Sequence, residues 1–253
     1  MRNAMPRCPQ CNHPGRPHYI RNGKTLEKIG IWCNSCCKPV DPIIRSDPVA
    51  FSMDIRDFLN SHKKKYDLIL ADPPWLYQHG TTTKTRLVEN HYDTMPTGEI
   101  MELPINRIAK DKSILFLWTT SPKNEEGLDV MKAWGFTYRT QIVWEKYSNG
   151  KLQIGLGQNV RGTHELLLIG KRGEFATPRY KPPSTIAARR TEHSAKPIKF
   201  YEILEFMYPA ASRIELFARH TRPGWVSVGN QLNQTFQSII LQDGTGALTG
   251  RSE

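Results

Sequence analysis

The chain holds no apolar run long enough to cross a bilayer, so no membrane-spanning helix is expected from it. Residues 1–25 carry arginines, prolines and a cysteine pair instead of an apolar h-region, so no secretory signal is expected there, and a cytoplasmic setting follows. Acids are scarce: 24 Asp and Glu stand against 35 Lys and Arg, a net charge of +11. That balance points to a polyanionic partner, nucleic acid before membrane surface, although a merely soluble basic protein carries the same charge. Cysteine is absent beyond residue 37, which excludes a disulfide framework spread through the chain. Also missing are a GxGxxG turn, a P-loop, a Ser nucleophile elbow and HExxH. Dinucleotide, nucleoside-triphosphate and protease readings therefore have no motif behind them.

What cysteine there is lies in pairs. Cys8-Pro9-Gln10-Cys11 is followed by Cys33-Asn34-Ser35-Cys36. Two CxxC knuckles supply four thiolates, enough for a closed tetrahedral zinc site. Cys37 is a spare for Cys36, and His13 or His18 also compete. A unit spanning 1–44 cannot bury enough core to fold alone, so the metal would supply much of its folding free energy. A closed site has no open position for catalysis. Eight cations against Glu27 and Asp41 give residues 1–45 a local charge of +6, over half the excess, so this unit reads as a docking module. Arg21-Asn22-Gly23-Lys24 reads as a hairpin turn and Ile29 to Trp32 as a strand.

Asp41-Pro42 and Asp47-Pro48 bracket a linker. Beyond it the informative stretch is Lys65 to Trp75. Leu68 to Ala71 is a short apolar run between breakers, the pattern of a strand buried on both faces. Pro73 and Pro74 cannot continue a ladder and bias the residues before them towards extended backbone. Asp72 is therefore expected at the carboxyl end of a central strand, where open α/β sheets bind ligands, beside an exposed, flat Trp75. On spacing alone, a strand end with a capping Asp and a packing Trp reads equally well.

That edge suits an amino-bearing planar ring. The exocyclic amine of adenine is a poor nucleophile because its lone pair is delocalised. Accepting its two hydrogens on the Asp72 carboxylate and the Pro73 carbonyl draws the nitrogen towards a tetrahedral shape, and the freed lone pair can attack an electrophilic methyl in line. The work is orientation and electrostatics. The Asp72-Pro73-Pro74-Trp75 turn must be stiff so that the acceptors do not relax away, and Trp75 would stack on the base for about 1–3 kcal/mol.

Strand and helix patterns alternate over residues 49–232, which predicts a three-layer α/β fold with a mainly parallel sheet. Residues 76–98 have no period and read as a substrate loop; 148–163 read as a mobile, basic, glycine-rich loop; 176–196 form a basic segment suited to phosphate contacts or to plain solvation. Phe236 to Glu253 is a tail with no functional signal.

The second unit resembles the family of the mRNA N6-adenosine methyltransferase catalytic subunit with its bacterial and phage relatives, many of which methylate DNA adenine. The likeness spans roughly residues 50–235 and rests on ordered motifs: Met53 to Arg56, Ala71 to Trp75, Tyr92 to Met95, Phe116 to Trp118, Val143 to Lys146, His164 to Leu166, Lys196-Pro197, Ile214 to Arg219 and Gly229 to Gln231. It implies a Rossmann-like fold with permuted motif order and S-adenosylmethionine as donor. Asp54 and Ile55 resemble the residues holding the donor's adenine, Lys196 the cation meeting its carboxylate, and Arg219, Asn230 and Gln231 the contacts around its ribose. The loop His220 to Gly224 is shorter than the eukaryotic pattern, so the family's Asn there is unmatched. The acid-Pro-Pro motif is intact, which implies the active type and no obligatory protein partner. Residues 1–44 resemble transposase-type zinc ribbons.

The expectation is a DNA adenine methyltransferase: a zinc ribbon (1–44), a catalytic domain (45–235) and a tail (236–253). An RNA N6-adenosine methyltransferase, or a zinc-ribbon DNA-binding protein that holds the donor without turnover, are the competing readings.

Overall fold

The computed structural model describes residues 47–77, 94–148, 150–155, 157, 159–178, 180–189 and 195–232, and the backbone of short strands at 16–22, 25–33, 38–39 and 234–235. Near the N-terminus, β1 (Arg16–Asn22) and β2 (Thr25–Cys33) form an antiparallel hairpin with Asn22 opposite Thr25, the turn expected from Asn22-Gly23. β3 (Lys38–Pro39) pairs back onto β2. Cys8, Cys11 and Cys36 lie outside the described residues, and only the backbone of Cys33 is described, so the expected zinc site does too.

The main body continues as β4 (Val49–Phe51), α1 (Ile55–Ser61), β5 (Tyr66–Ala71), α2 (Thr97–Met101), β6 (Ala109–Thr119), α3 (Asn124–Ala133), β7 (Thr137–Ser148), β8 (Lys151–Leu152) and β9 (His164–Arg172). After these come β10 (Thr185–Arg189), α4 (Ile198–Met207), β11 (Arg213–Leu216), β12 (His220–Thr221), β13 (Val226–Val228) and β14 (Gln234–Thr235). One mixed sheet runs in the order β10-β7-β9-β6-β5-β11-β13-β4, with β8 paired to β7. The small β12–β14 pair stands apart from it.

The central strands read as they do because both faces are covered. Leu68 and Leu70 of β5, Phe116 and Trp118 of β6, and Leu167 and Ile169 of β9 pack on one face with Phe200, Ile203 and Leu204 of α4. Ile69, Ala71, Leu115, Leu117 and Leu168 alternate to the other face, against Phe58 and Leu59 of α1, Ile100 of α2, and Val130 and Met131 of α3. Each such burial contributes about 1.5–3 kcal/mol. α3 stops at Gly135, whose φ of +82° a side chain would resist. Trp134 beside it donates its indole N–H to the Ile100 carbonyl at 2.8 Å, tying α3 to α2.

The expected dominance of parallel pairing holds for β6, β5, β11, β13 and β4, but β9 runs antiparallel between β6 and β7. Among the described residues no helix separates β7 from β9, so no crossover returns the chain to a parallel position. Residues 148–163 are not the plain loop expected: they include β8, and Gln153 N–H bonds the Lys146 carbonyl at 2.7 Å. Likewise 176–196 contributes an edge strand, β10, parallel to β7. Among the described residues no helix is long and apolar enough to cross a membrane.

Candidate active site

Where β5 ends, its two neighbours belong to different parts of the chain: β6 is the next strand in sequence on one side, β11 arrives much later on the other. Such a switch point leaves a crevice outside the carboxyl ends of the strands. Asp72 is the first residue past β5 and stands in that crevice. The two prolines set the path of the turn beyond it. Trp75 N–H donates to the Pro73 carbonyl at 2.9 Å, and Met95 N–H to the Pro74 carbonyl at 2.7 Å. A carbonyl has two lone pairs, so Pro73 retains one for another donor.

Two cavities meet at this turn. The larger, about 280 Å³, is lined by Asp54, Ile55, Arg219, Asn230 and Gln231, five of the six residues expected around a donor. Asp54 is brought there as the N-cap of α1, its carboxylate accepting Arg56 N–H at 2.7 Å. Phe217, at the end of β11, adopts a φ of +62°, a conformation rare outside glycine, and lines the same wall. Gly229 completes the cradle: a Cβ there would meet the Ala218 carbonyl oxygen at 2.2 Å. The smaller cavity, about 90 Å³, is lined by Pro73, Tyr77, Thr119, Thr120, Glu165 and Lys196. Asp72, Pro74 and Arg219 line both.

Lys196, expected to meet the donor's carboxylate, lines the smaller cavity, which shares Asp72, Pro74 and Arg219 with the larger one. Its ammonium donates to Asp72 Oδ2 at 2.6 Å and stands 3.4 Å from Glu165 Oε2. Glu165 Oε1 in turn accepts from Lys146 at 2.6 Å. A buried ammonium settles between the two nearest carboxylates. Burial works against the Lys196 charge, but Asp72 and Glu165 hold its pKa above the usual lysine value. Burial pushes Glu165 up, yet Lys196 and Lys146 together carry it below the ordinary carboxylate range. Asp72 is left raised, by burial first, with Lys196 opposing and Glu165 adding to the shift. Glu165, bonded to Lys146 and close to Lys196, keeps its charge more readily than Asp72, which bonds Lys196 and has Arg219 as a more distant cation.

Trp75 needs correcting. It is 5% exposed, packs in the core and commits its indole N–H to the Trp118 carbonyl at 3.1 Å, so it is no exposed stacking surface. Trp75 and Tyr77 both line the smaller cavity; Tyr77 is hydrogen-bonded to Thr120 Oγ1 at 2.8 Å, with its hydroxyl pKa pushed to about 12 by burial. Sequence reading assigned neither Tyr77 nor Glu165 a role. Tyr77 sat in an aperiodic stretch, two residues after Trp75; Glu165 lay inside a quoted motif.

Behind the crevice, α4 carries buried polar groups. Tyr201 donates its hydroxyl to Glu215 Oε1 at 2.6 Å, and burial raises Glu215 to about 8. Arg222 grips Glu205 with two bonds, 2.7 and 3.1 Å, and the Trp225 indole N–H adds a third at 2.8 Å. These fix the strand ends that carry Arg219 and Gly229.

The sheet is mixed α/β, with an Asp-Pro-Pro turn at its switch point. Residues 66–231 match the MT-A70 family, and the chain belongs to it. It is 32% identical to the Type II methyltransferase M.MunI of Mycoplasma sp, over 67% of this chain and 79% of that protein. It is 31% identical to the N(6)-adenosine-methyltransferase MT-A70-like protein of Arabidopsis thaliana, over 71% of this chain but 26% of that one. With the human N(6)-adenosine-methyltransferase catalytic subunit METTL3 it shares 29% identity, over 71% of this chain and 30% of that protein. The chain thus matches most of the Mycoplasma relative and under a third of these eukaryotic ones.

Proposed function

We propose that this chain transfers a methyl group from S-adenosylmethionine to the N6 amine of adenine in DNA. One observation carries the reading: Asp72 and Pro74 form a common wall between a cavity suited to a donor and a cavity suited to a flat acceptor. The fold is then a Rossmann-like methyltransferase of permuted order, with 45–235 as the catalytic domain and 1–44 as a zinc ribbon held by Cys8, Cys11, Cys33 and Cys36.

The larger cavity fits the donor chemically. Asp54 and the carboxamides of Asn230 and Gln231 match an amine and hydroxyls, Ile55 offers an apolar flank, and Gly229, packed too closely on the Ala218 backbone for a Cβ, contributes backbone to the wall. Bound there, the donor supplies an activated methyl group. The protein's own part is to present the acceptor nitrogen. The Asp72 carboxylate and the free lone pair of the Pro73 carbonyl accept the amine hydrogens. Lys196 holds Asp72 Oδ2 and fixes the carboxylate plane, while Tyr77 flanks the base. Transfer leaves an extra proton on the nitrogen, and the raised basicity of Asp72 suits it to take that proton.

DNA is favoured over RNA because the relative matched over most of its own length is a Type II methyltransferase, and because residues 1–45 concentrate positive charge. The protein would act in the cytoplasm, on chromosomal or phage DNA, without an obligatory protein partner. The test is transfer of labelled methyl to matched DNA and RNA oligonucleotides, beside Asp72→Ala. The expected result is N6-methyladenine in DNA with wild type and none with the variant, while donor binding persists. Transfer to RNA alone would replace DNA by RNA; donor binding without transfer to either would leave a non-catalytic binding protein.

A further inference from the structure

The segment between β7 and β9 leaves the sheet at the same edge as Asp72, because β7 runs in the direction of β6. It is a folded flap. Tyr147 pairs with Leu152 across the β7–β8 turn, Gln153 N–H bonds the Lys146 carbonyl, and Lys146 N–H bonds the Thr163 carbonyl at 3.0 Å. Its far arms are drawn together by Gly155 N–H on the Gly162 carbonyl at 2.7 Å. A Cβ on Gly155 would meet that oxygen at 2.9 Å, so the closure depends on glycine. Arg161 Nε adds a bond to the Gly155 carbonyl at 2.9 Å.

This ordered flap exposes what folded proteins usually hide. Leu152, Ile154 and Val160 are 43%, 56% and 81% exposed. Between Lys146 and Thr163 there is no acid, while Lys151 and Arg161 stand in solvent. Its base reaches the catalytic edge through Lys146, Glu165, Lys196 and Asp72, each within salt-bridge distance of the next. Aliphatic side chains flanked by cations, with no acid among them, fit a duplex whose phosphates take the cations and whose opened base step takes the apolar tip.

We propose that the flap is a wedge for paired DNA: Lys151 and Arg161 hold the backbone, and Leu152, Ile154 and Val160 fill the gap left when the adenine leaves the stack. This rests on the methyltransferase reading above. Its test uses two variants of the full chain. Leu152→Ser with Ile154→Ser and Val160→Ser should lower methyl transfer to plasmid duplex by at least about tenfold, and leave transfer to the same plasmid, heat-denatured, unchanged. Lys151→Ala with Arg161→Ala should reduce the slope of log Kd against log salt, read with a fluorescent 30-base-pair duplex, by roughly two. Unchanged transfer to duplex, or an equal loss on both forms of the plasmid, would overturn the wedge. So would an unchanged salt slope, or a change confined to the oligomeric state seen by light scattering. If the wild type methylates neither form, the catalytic reading fails separately, and the salt slope still tests the flap.

Discussion

At the residue scale, the chemistry depends on how three charges divide between Asp72, Glu165 and Lys196. Asp72 has to be ionised to accept an amine hydrogen, and burial raises its pKa while Lys196 restrains that rise. Activity should therefore fall as pH drops through the raised pKa of Asp72, at a pH above the usual carboxylate range. Lys196→Met removes the restraining charge, so the acid limb of kcat/KM should move to higher pH; a pH–rate profile of the two proteins checks this, and an unmoved limb would detach Lys196 from Asp72. The fate of Trp75 is decided at the same scale. The Trp118 carbonyl gives its indole N–H a buried partner, so the ring packs into the core while still lining the smaller cavity beside Tyr77.

At the element scale, the strand β11 and the helix α4 support the crevice through groups that rarely belong in a core. Glu215 is buried between apolar neighbours, with Tyr201 as its donor. Its folded pKa near 8 stands above the ordinary value of 4.5, so the folded state holds a proton that the unfolded state has released. Stability from this group is present at low pH and is lost as pH rises from about 4.5 towards 8, by about 1.4 kcal/mol per pH unit. Glu215→Gln keeps the Tyr201 bond and removes the titration. Its melting temperature should match the wild type near pH 5 and exceed it near pH 8; parallel pH dependence in both proteins would show that Glu215 is ionised in the fold. Both buried acids left a trace in the sequence. Ile214-Glu215-Leu216 and Leu204-Glu205-Phe206 each set one carboxylate in an apolar run, a pattern that demands a buried partner. Which partner, Tyr201 or Arg222, depends on how α4 lies over the sheet.

At the scale of the whole molecule, the proposed division of labour is between a catalytic body and a basic N-terminal unit. If four thiolates hold zinc, Cys8→Ser with Cys11→Ser should abolish about one equivalent of protein-bound zinc, measured by atomic emission. It should also weaken binding to long duplex DNA while single-turnover transfer to a short oligonucleotide persists. Full zinc content in that variant would exclude those two cysteines as ligands. The same scale explains why the sheet is mixed. The alternating pattern of strands and helices specifies parallel pairing where a helix intervenes, and the return from β7 without a described helix is where β8 and β9 run antiparallel.

Local chemistry was enough to define much of this protein. The apolar run of Leu68 to Ala71 and the prolines after it determine a buried strand with an acid at its end, since both faces and the breakers are written in adjacent residues. Gly135 likewise ends its helix by backbone freedom alone. Asp54, Ile55, Arg219, Asn230 and Gln231, named from separate motifs, line one cavity. Only the tertiary structure decided that Trp75 packs inward, that Lys196 bridges Asp72 and Glu165, and that the glycine-rich stretch contains the paired strand β8. Those outcomes depend on side chains meeting from strands far apart in the chain. A buried charge or ring takes the nearest partner in space, and spacing along the sequence does not encode that distance.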